Sequence, residues 1–155
     1  MANTYTQIYL QFVFATLGRN TIIAEKNREE IEKYITGIIH NKGQKLLAVY
    51  ANPDHIHIFI SYKDLRISIP ELIKVIKTES TRFINSHNYC VGKFQWQEGY
   101  GAFSYAKSQK EAVVAYILNQ KKHHEKKSFR EEYKDFLLKF EIEYEDKYLF
   151  DFYDK

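Results

Sequence analysis

The chain has 155 residues, 45% of them hydrophobic, which is enough for one ordinary domain with a real core. A single cysteine, Cys90, excludes an intrachain disulfide and fits a reducing compartment. No basic-then-apolar leader and no run of about 20 apolar residues is present, so the expectation is a cytoplasmic protein with no membrane partner. The net charge of +3 is uneven: residues 1–128 carry 18 Lys/Arg against 11 Asp/Glu, and residues 129–155 carry 5 against 9. The basic part could meet a polyanion while the acidic tail faces water. With two prolines, no low-complexity linker and no repeat, residues 1–155 are expected to form a single domain.

Residues 6–14 alternate, with Ile8, Leu10, Phe12 and Phe14 on one face and Tyr9, Gln11 and Val13 on the other, which predicts a first strand. Gly18-Arg19-Asn20 breaks it. Residues 25–41 read as a helix with Ile31, Tyr34, Ile35, Ile38 and Ile39 as its apolar stripe, closed by Asn41-Lys42-Gly43. A second strand over 44–50 turns at Ala51-Asn52-Pro53-Asp54 into a third, and so short a link predicts an antiparallel hairpin. Ser68-Ile69-Pro70-Glu71 opens a helix that runs to about residue 85. Short strand segments are expected over 93–96 and over 100–105, joined by a glycine-rich turn. Ser108 and Glu111 suggest a capping box for a helix through about residue 123, and a further helix is expected over 129–144. The aromatic tail 148–153 is too apolar to float freely and is expected to pack on the body or on a partner. Strand, helix, strand, strand, helix, strand is the ferredoxin-like (RRM-like) order. The expected fold is therefore α+β: an antiparallel sheet with helices on both faces, plus a C-terminal helical and aromatic extension.

Chemistry concentrates on the third strand. In His55-Ile56-His57-Ile58-Phe59-Ile60 the isoleucines form one row, and the other row opens with two imidazoles about 7 Å apart. They are either half of a divalent metal site or plain filling of a polar sheet face. Tyr116 and Gln120, four apart on one helix, lie one above the other. Gln120 offers a carbonyl oxygen to a hard ion and Tyr116 a phenolic nucleophile; otherwise Tyr116 is one of thirteen tyrosines and Gln120 a surface residue. If the first reading holds, a metal polarises a phosphate oxygen while tyrosine attacks phosphorus, leaving a phosphotyrosine that permits rejoining. His124 shares roughly the Gln120 face and could touch phosphate or a metal's outer ligands, or simply sit with His123 at a lysine-rich helix end. Lys74, Lys77 and Arg82 form a basic helix face that is either solvated or a bed for a nucleic-acid backbone.

Three segments together resemble a known family. His55-Ile56-His57 resembles the histidine–hydrophobe–histidine motif of the HUH endonucleases. Tyr116-Ile117-Leu118-Asn119-Gln120 resembles the tyrosine-x-x-x-glutamine segment of the single-tyrosine (Y1) transposases of the IS200/IS605 insertion sequences. Between them, Trp96-Gln97-Glu98-Gly99-Tyr100-Gly101-Ala102-Phe103 is similar to the family's Trp-x-x-Gly-aromatic segment. The likeness covers a core of about residues 4–125, leaving 126–155 as an extension longer and more acidic than that core requires. It implies that His55, His57 and Gln120 hold Mg²⁺ or Mn²⁺ and that Tyr116 forms a 5′-phosphotyrosine on single-stranded DNA, releasing a 3′-OH before strand transfer. It also implies partners: DNA with subterminal hairpins, whose phosphates Lys74, Lys77 and Arg82 would meet, and a second copy in a homodimer, whose tyrosine helix would complete either its own site or, in a composite site, the partner's. The rival functions are a non-catalytic binder of hairpin or single-stranded nucleic acid, a metal hydrolase using water, and a related HUH nuclease that processes host repeats or initiates replication.

Overall fold

The computed structural model describes residues 3–19 and 21–153. Its centre is strand β1 (Tyr9–Ala15), buried along its whole length because it is flanked on both sides. It pairs antiparallel with β3 (His55–Ser61) and with β4 (Gly101–Tyr105), while β2 (Lys45–Ala51) pairs antiparallel with the far side of β3. The sheet order is β2-β3-β1-β4. Both ladders on β1 begin at Tyr9, opposite Ser61 and Tyr105, so the strand starts there rather than at residue 6.

The register sorts the side chains. Leu10, Phe12 and Phe14 share a face with Ile60, Ile58 and Ile56, and all six are buried. Helix α1 (Arg28–Asn41), entered through a 3₁₀ turn at Glu25–Asn27, turns Ile31, Ile35, Ile38 and Ile39 toward this core. Helix α2 (Ile69–Ser86) adds Leu72, Ile73, Ile76 and Ile84. The Ser68 hydroxyl accepts the Glu71 N–H at 3.2 Å, so the expected cap forms. Tyr34 of α1 stacks on Phe83 of α2 with centroids 4.1 Å apart. Gly43 ends α1 at φ +79°, and a Cβ there would stand 2.9 Å from the Asp64 Cβ, so the position admits only glycine without a shift.

The other face carries Gln11, Val13, His55, His57, Phe59, Phe103 and Tyr105. Over it lie α3 (Lys110–Leu118), the single turn α4 (Gln120–His123) and α5 (Phe129–Lys139). Phe136 of α5 stacks on Phe103 at 5.0 Å, and the Tyr133 ring lies 6.5 Å from the same phenylalanine. This is an α+β fold, a small antiparallel sheet flanked by helices, with a helical and aromatic C-terminal extension.

Several local expectations shift. The helix expected from Ser108 is preceded by a 3₁₀ turn, Lys107–Gln109, in which Gln109, not Ser108, reaches back to accept the Ala106 N–H at 2.8 Å. It is interrupted at Asn119, which separates α3 from α4. The stretch 93–96 makes one bridge, Thr16 to Trp96, rather than a strand. Helix α5 stops at Lys139, because Glu141 takes φ 54° and the Ile142 N–H turns back to the Leu137 carbonyl at 2.9 Å. At the expected break after β1, Gly18 has φ +95°; Asn20 lies outside the described residues. The tail packs on its own chain: Phe150 is buried against Tyr133, and Gln97 binds both the N–H and the carbonyl of Asp151 at 2.8 and 2.9 Å. Among the described residues no helix is long and apolar enough to cross a membrane.

Candidate active site

The tight turn between β2 and β3 sets the first imidazole. Asp54 precedes His55 directly, and its carboxylate accepts the His55 Nδ1–H at 2.7 Å. Two residues on, His57 donates Nδ1–H to the Gln11 carbonyl oxygen at 2.7 Å. The orientation of Gln11 follows from its other end, whose Nε2 donates to the Tyr105 hydroxyl at 2.8 Å. His124, just past α4, donates Nδ1–H to the Lys127 backbone carbonyl at 2.6 Å. Each ring therefore has its Nδ1 engaged by an acceptor and presents Nε2 inward, the arrangement by which outer hydrogen bonds orient imidazole ligands.

The three Nε2 atoms meet at one oxygen. Glu132 Oε1 of α5 is 3.1 Å from Nε2 of His55, of His57 and of His124. Its second oxygen, Oε2, accepts the Tyr116 hydroxyl and, at 3.0 Å, the Gln120 Nε2–H. Gln120 points its own Oε1 away from Glu132, where it accepts from Asn52 Nδ2 at 2.9 Å and lies 3.0 Å from His124 Nε2. His123 Nε2 stands 3.2 Å from the Tyr116 oxygen. Phe129 stacks on His55 at 3.8 Å and shields the cluster from one side.

The electrostatics are those of a dry, coupled set. Burial opposes charge on His55, but its bonds to Asp54 and Glu132 outweigh that and hold the imidazole above the usual histidine range. Burial dominates at His57 and keeps it below that range. Glu132 is also buried, yet the surrounding histidines, through charge and hydrogen bonds, hold its carboxyl far below the usual range. The carboxylate is thus held ionised among the imidazoles. Burial, and then the Glu132 charge beside it, push the Tyr116 hydroxyl far above the ordinary tyrosine range. The phenol is held protonated and touching a base.

These residues fit a divalent ion. One donor atom each from His55, His57, His124 and Glu132 lies within 4.8 Å of all the others. A set of three imidazoles and one carboxylate suits divalent first-row metals, and its outer bonds already fix the tautomers. The cluster is capable of holding such an ion.

Of the residues singled out in the sequence, His55, His57, Tyr116, Gln120 and His124 come together here. Lys74, Lys77 and Arg82 do not; they lie on α2, beyond the other face of the sheet. The Lys77 ammonium donates to the Gln97 and Gly99 carbonyls at 2.8 and 2.7 Å, and burial pushes it down to about 8. Lys74 and Arg82 are exposed, Arg82 with Glu79 at 3.9 Å. Sequence reasoning missed Glu132, Asn52 and Gln11. Glu132 had a signal: it is a carboxylate inside the apolar stripe of Phe129, Tyr133, Phe136 and Leu137.

A sheet-borne histidine pair facing a helix-borne tyrosine defines the class, an HUH-type protein. The family model described as "Transposase IS200 like" matches residues 4–120, and the chain belongs to that family, the single-tyrosine transposases of the IS200/IS605 type. Among solved structures it is similar to a protein of Deinococcus radiodurans R1 described as a candidate transposase, with 19% identity and a TM-score of 0.60 over 77% of this chain and 95% of that one. It is also similar to a REP-associated tyrosine transposase bound to a REP hairpin, with 13% identity and a TM-score of 0.59 over 80% of this chain and 73% of that one. At these identities the two likenesses speak for the fold. No curated protein matches the chain. Both His124 and Glu132 lie beyond the segment that the family model matches.

Proposed function

We propose that this protein is a metal-dependent single-stranded DNA transposase in which Tyr116 attacks a phosphodiester, forms a 5′-phosphotyrosine and releases a 3′-OH for later strand transfer. One observation carries the reading: the Tyr116 hydroxyl and the Nε2 atoms of His55, His57 and His124 converge on the two oxygens of Glu132. His55, His57, His124 and Glu132 would hold the ion, and Gln120 would add its Oε1, which lies beside His124. Both Mg²⁺ and Mn²⁺ serve such sites, and a donor set this rich in imidazole favours Mn²⁺. When bound, the ion supplies positive charge that polarises a phosphate oxygen.

The chain's own groups do the rest. Tyr116 is a weak nucleophile while its proton stays on, and Glu132 Oε2 already accepts that proton's hydrogen bond. As the tyrosine oxygen bonds to phosphorus, its proton is handed on through the Oε2 contact to solvent, and the bond from phosphorus to the 3′-oxygen breaks. The leaving oxygen takes a proton from solvent. Gln120 Nε2 steadies Oε2 during the transfer, and Phe129 over His55 keeps water from that side.

The strand order and the alternation of strands and helices support reading the core as ferredoxin-like and residues 1–155 as one domain. By likeness to the REP-associated transposase, the DNA partner would carry a hairpin. That neighbour also favours a second reading, an HUH nuclease that processes host repeats with the same chemistry. A homodimer with sheets joined edge to edge stays part of the proposal, with Lys74 and Arg82 as exposed cations for hairpin phosphates.

The test is to incubate the protein, Mn²⁺ and labelled hairpin-bearing single strands, then resolve the products under denaturing conditions. A covalent adduct is expected with the wild type and none with Tyr116→Phe, which should still bind the DNA. An adduct that survives the substitution would remove Tyr116 from the mechanism. DNA cleaved with no adduct would point to a hydrolase using water.

A further inference from the structure

A cavity of about 390 Å³ opens beside the Tyr116 hydroxyl, between α3 and α5, with the Gln11–Tyr105 pair also on its wall. Its volume falls within the range of roughly 300–1,000 Å³ typical of small-ligand sites. Glu132, which touches the histidines, is also on its wall. A phosphodiester brought to Tyr116 would have this opening beside it.

The lining suits a flat ring with acceptor edges. Phe136 and Tyr105 supply aromatic surface, and Ala112, small and exposed, leaves room at the mouth. The wall carries the carboxylates of Glu132, turned to the histidines, and Asp135, paired with Lys127; away from these, two of the polar groups are free to donate. The Tyr105 oxygen accepts from Gln11 Nε2, and among the described residues no acceptor takes its own proton. Gln109 uses its carbonyl on the Ala106 N–H, which leaves its amide NH₂ for the cavity. Lys139, at the α5 end, makes no ion pair among the described residues.

We propose that this cavity is a nucleobase subsite: it takes one unpaired base next to the phosphate that Tyr116 attacks, stacks it on aromatic rings and reads its carbonyl oxygens through Tyr105 and Gln109. The inference rests on the phosphotyrosine reading above and adds to it a sequence preference at a single position of the DNA.

The probe is a DNA stem-loop with an unpaired flank on each side, with abasic substitutions scanned one nucleotide at a time. Affinity is read by fluorescence anisotropy on Tyr116→Phe protein, in which no chemistry intervenes, and adduct formation is read separately on the wild type. One flank position should stand out, losing about tenfold or more in affinity when its base is removed, the size expected for one stacked base. In Ala112→Phe, which fills the cavity from an exposed helix position, and in Gln109→Ala, that position should lose most of its sensitivity. A flat scan, or a sensitive position of equal size in both variants, would overturn the subsite. An adduct accompanied by a flat scan would sink the subsite alone. A sensitive position with no adduct on any strand would sink the catalytic reading and leave a base-reading binder.

Discussion

Glu132 is bound on both oxygens, yet it is only 3% exposed. Oε1 faces three imidazoles, while Oε2 faces a phenol and an amide. A buried carboxylate so placed can act as a ligand or merely as a counter-charge, and Glu132→Gln separates the two because it keeps the shape and removes the charge. As a ligand, its loss should lower Mn²⁺ affinity by about tenfold or more in calorimetric titration. The rise in melting temperature that Mn²⁺ confers on the wild type should shrink with it. Equal affinity in the two proteins would leave Glu132 as a counter-charge only. The contrast with His55 and His57 explains what could be read from the chain. Those two are adjacent on one strand face, and Tyr116 and Gln120 are one helical turn apart, so local periodicity exposes both pairs. Glu132 meets His55 across 77 positions of sequence, and no local spacing announces such a contact.

At the scale of elements, the site depends on how closely α5 sits on the sheet. The contact point is Gly101 in β4, where a Cβ would stand 2.7 Å from the Tyr133 hydroxyl and 2.9 Å from the Phe103 ring. Glycine is required there by approach, not by backbone angle. Gly101→Ala should cost about 1–3 kcal/mol, the usual penalty for overpacking a filled core. Thermal or urea denaturation would show it as a lower midpoint. Tyr133→Phe removes the nearest atom, so the double variant should regain part of that loss, a coupling a double-mutant cycle reads directly. A Gly101→Ala protein as stable as the wild type would mean that α5 does not bear on β4 at this point. Here too the sequence was only partly legible. The glycine-rich stretch reads as a turn, since nothing local distinguishes a glycine needed for φ from one needed for room. The end of α5 was likewise hidden, because Glu141 closes the helix in a conformation that glycine usually takes.

At the scale of the whole molecule, the question is whose tyrosine serves whose histidines. Within one chain, Tyr116 reaches Glu132, and Glu132 reaches His55, His57 and His124. Helix α5 lies over the same sheet face, and the tail locks it down through Phe150 on Tyr133 and Asp151 on Gln97. A tyrosine helix from a second copy would have to displace this cover or enter after α3 swings away. The break at Asn119 gives α3 a place to bend, but Gln120 beyond it stays fully buried, tied to Asn52 and Glu132. The single-chain arrangement is therefore the one the packing favours, and it makes a definite prediction. Mixing Tyr116→Phe protein with His57→Ala protein should yield no more adduct than either variant alone, since each chain then lacks part of its own site. Composite sites predict the opposite, because a mixed dimer would unite an intact tyrosine with an intact histidine pair. The measurement is the same denaturing adduct assay after the two variants have been allowed to exchange subunits, with each variant's DNA binding checked beforehand. Adduct restored by mixing would show that α5 yields to the partner's helix, and the Tyr116–Glu132 contact would then belong to a resting state of the chain.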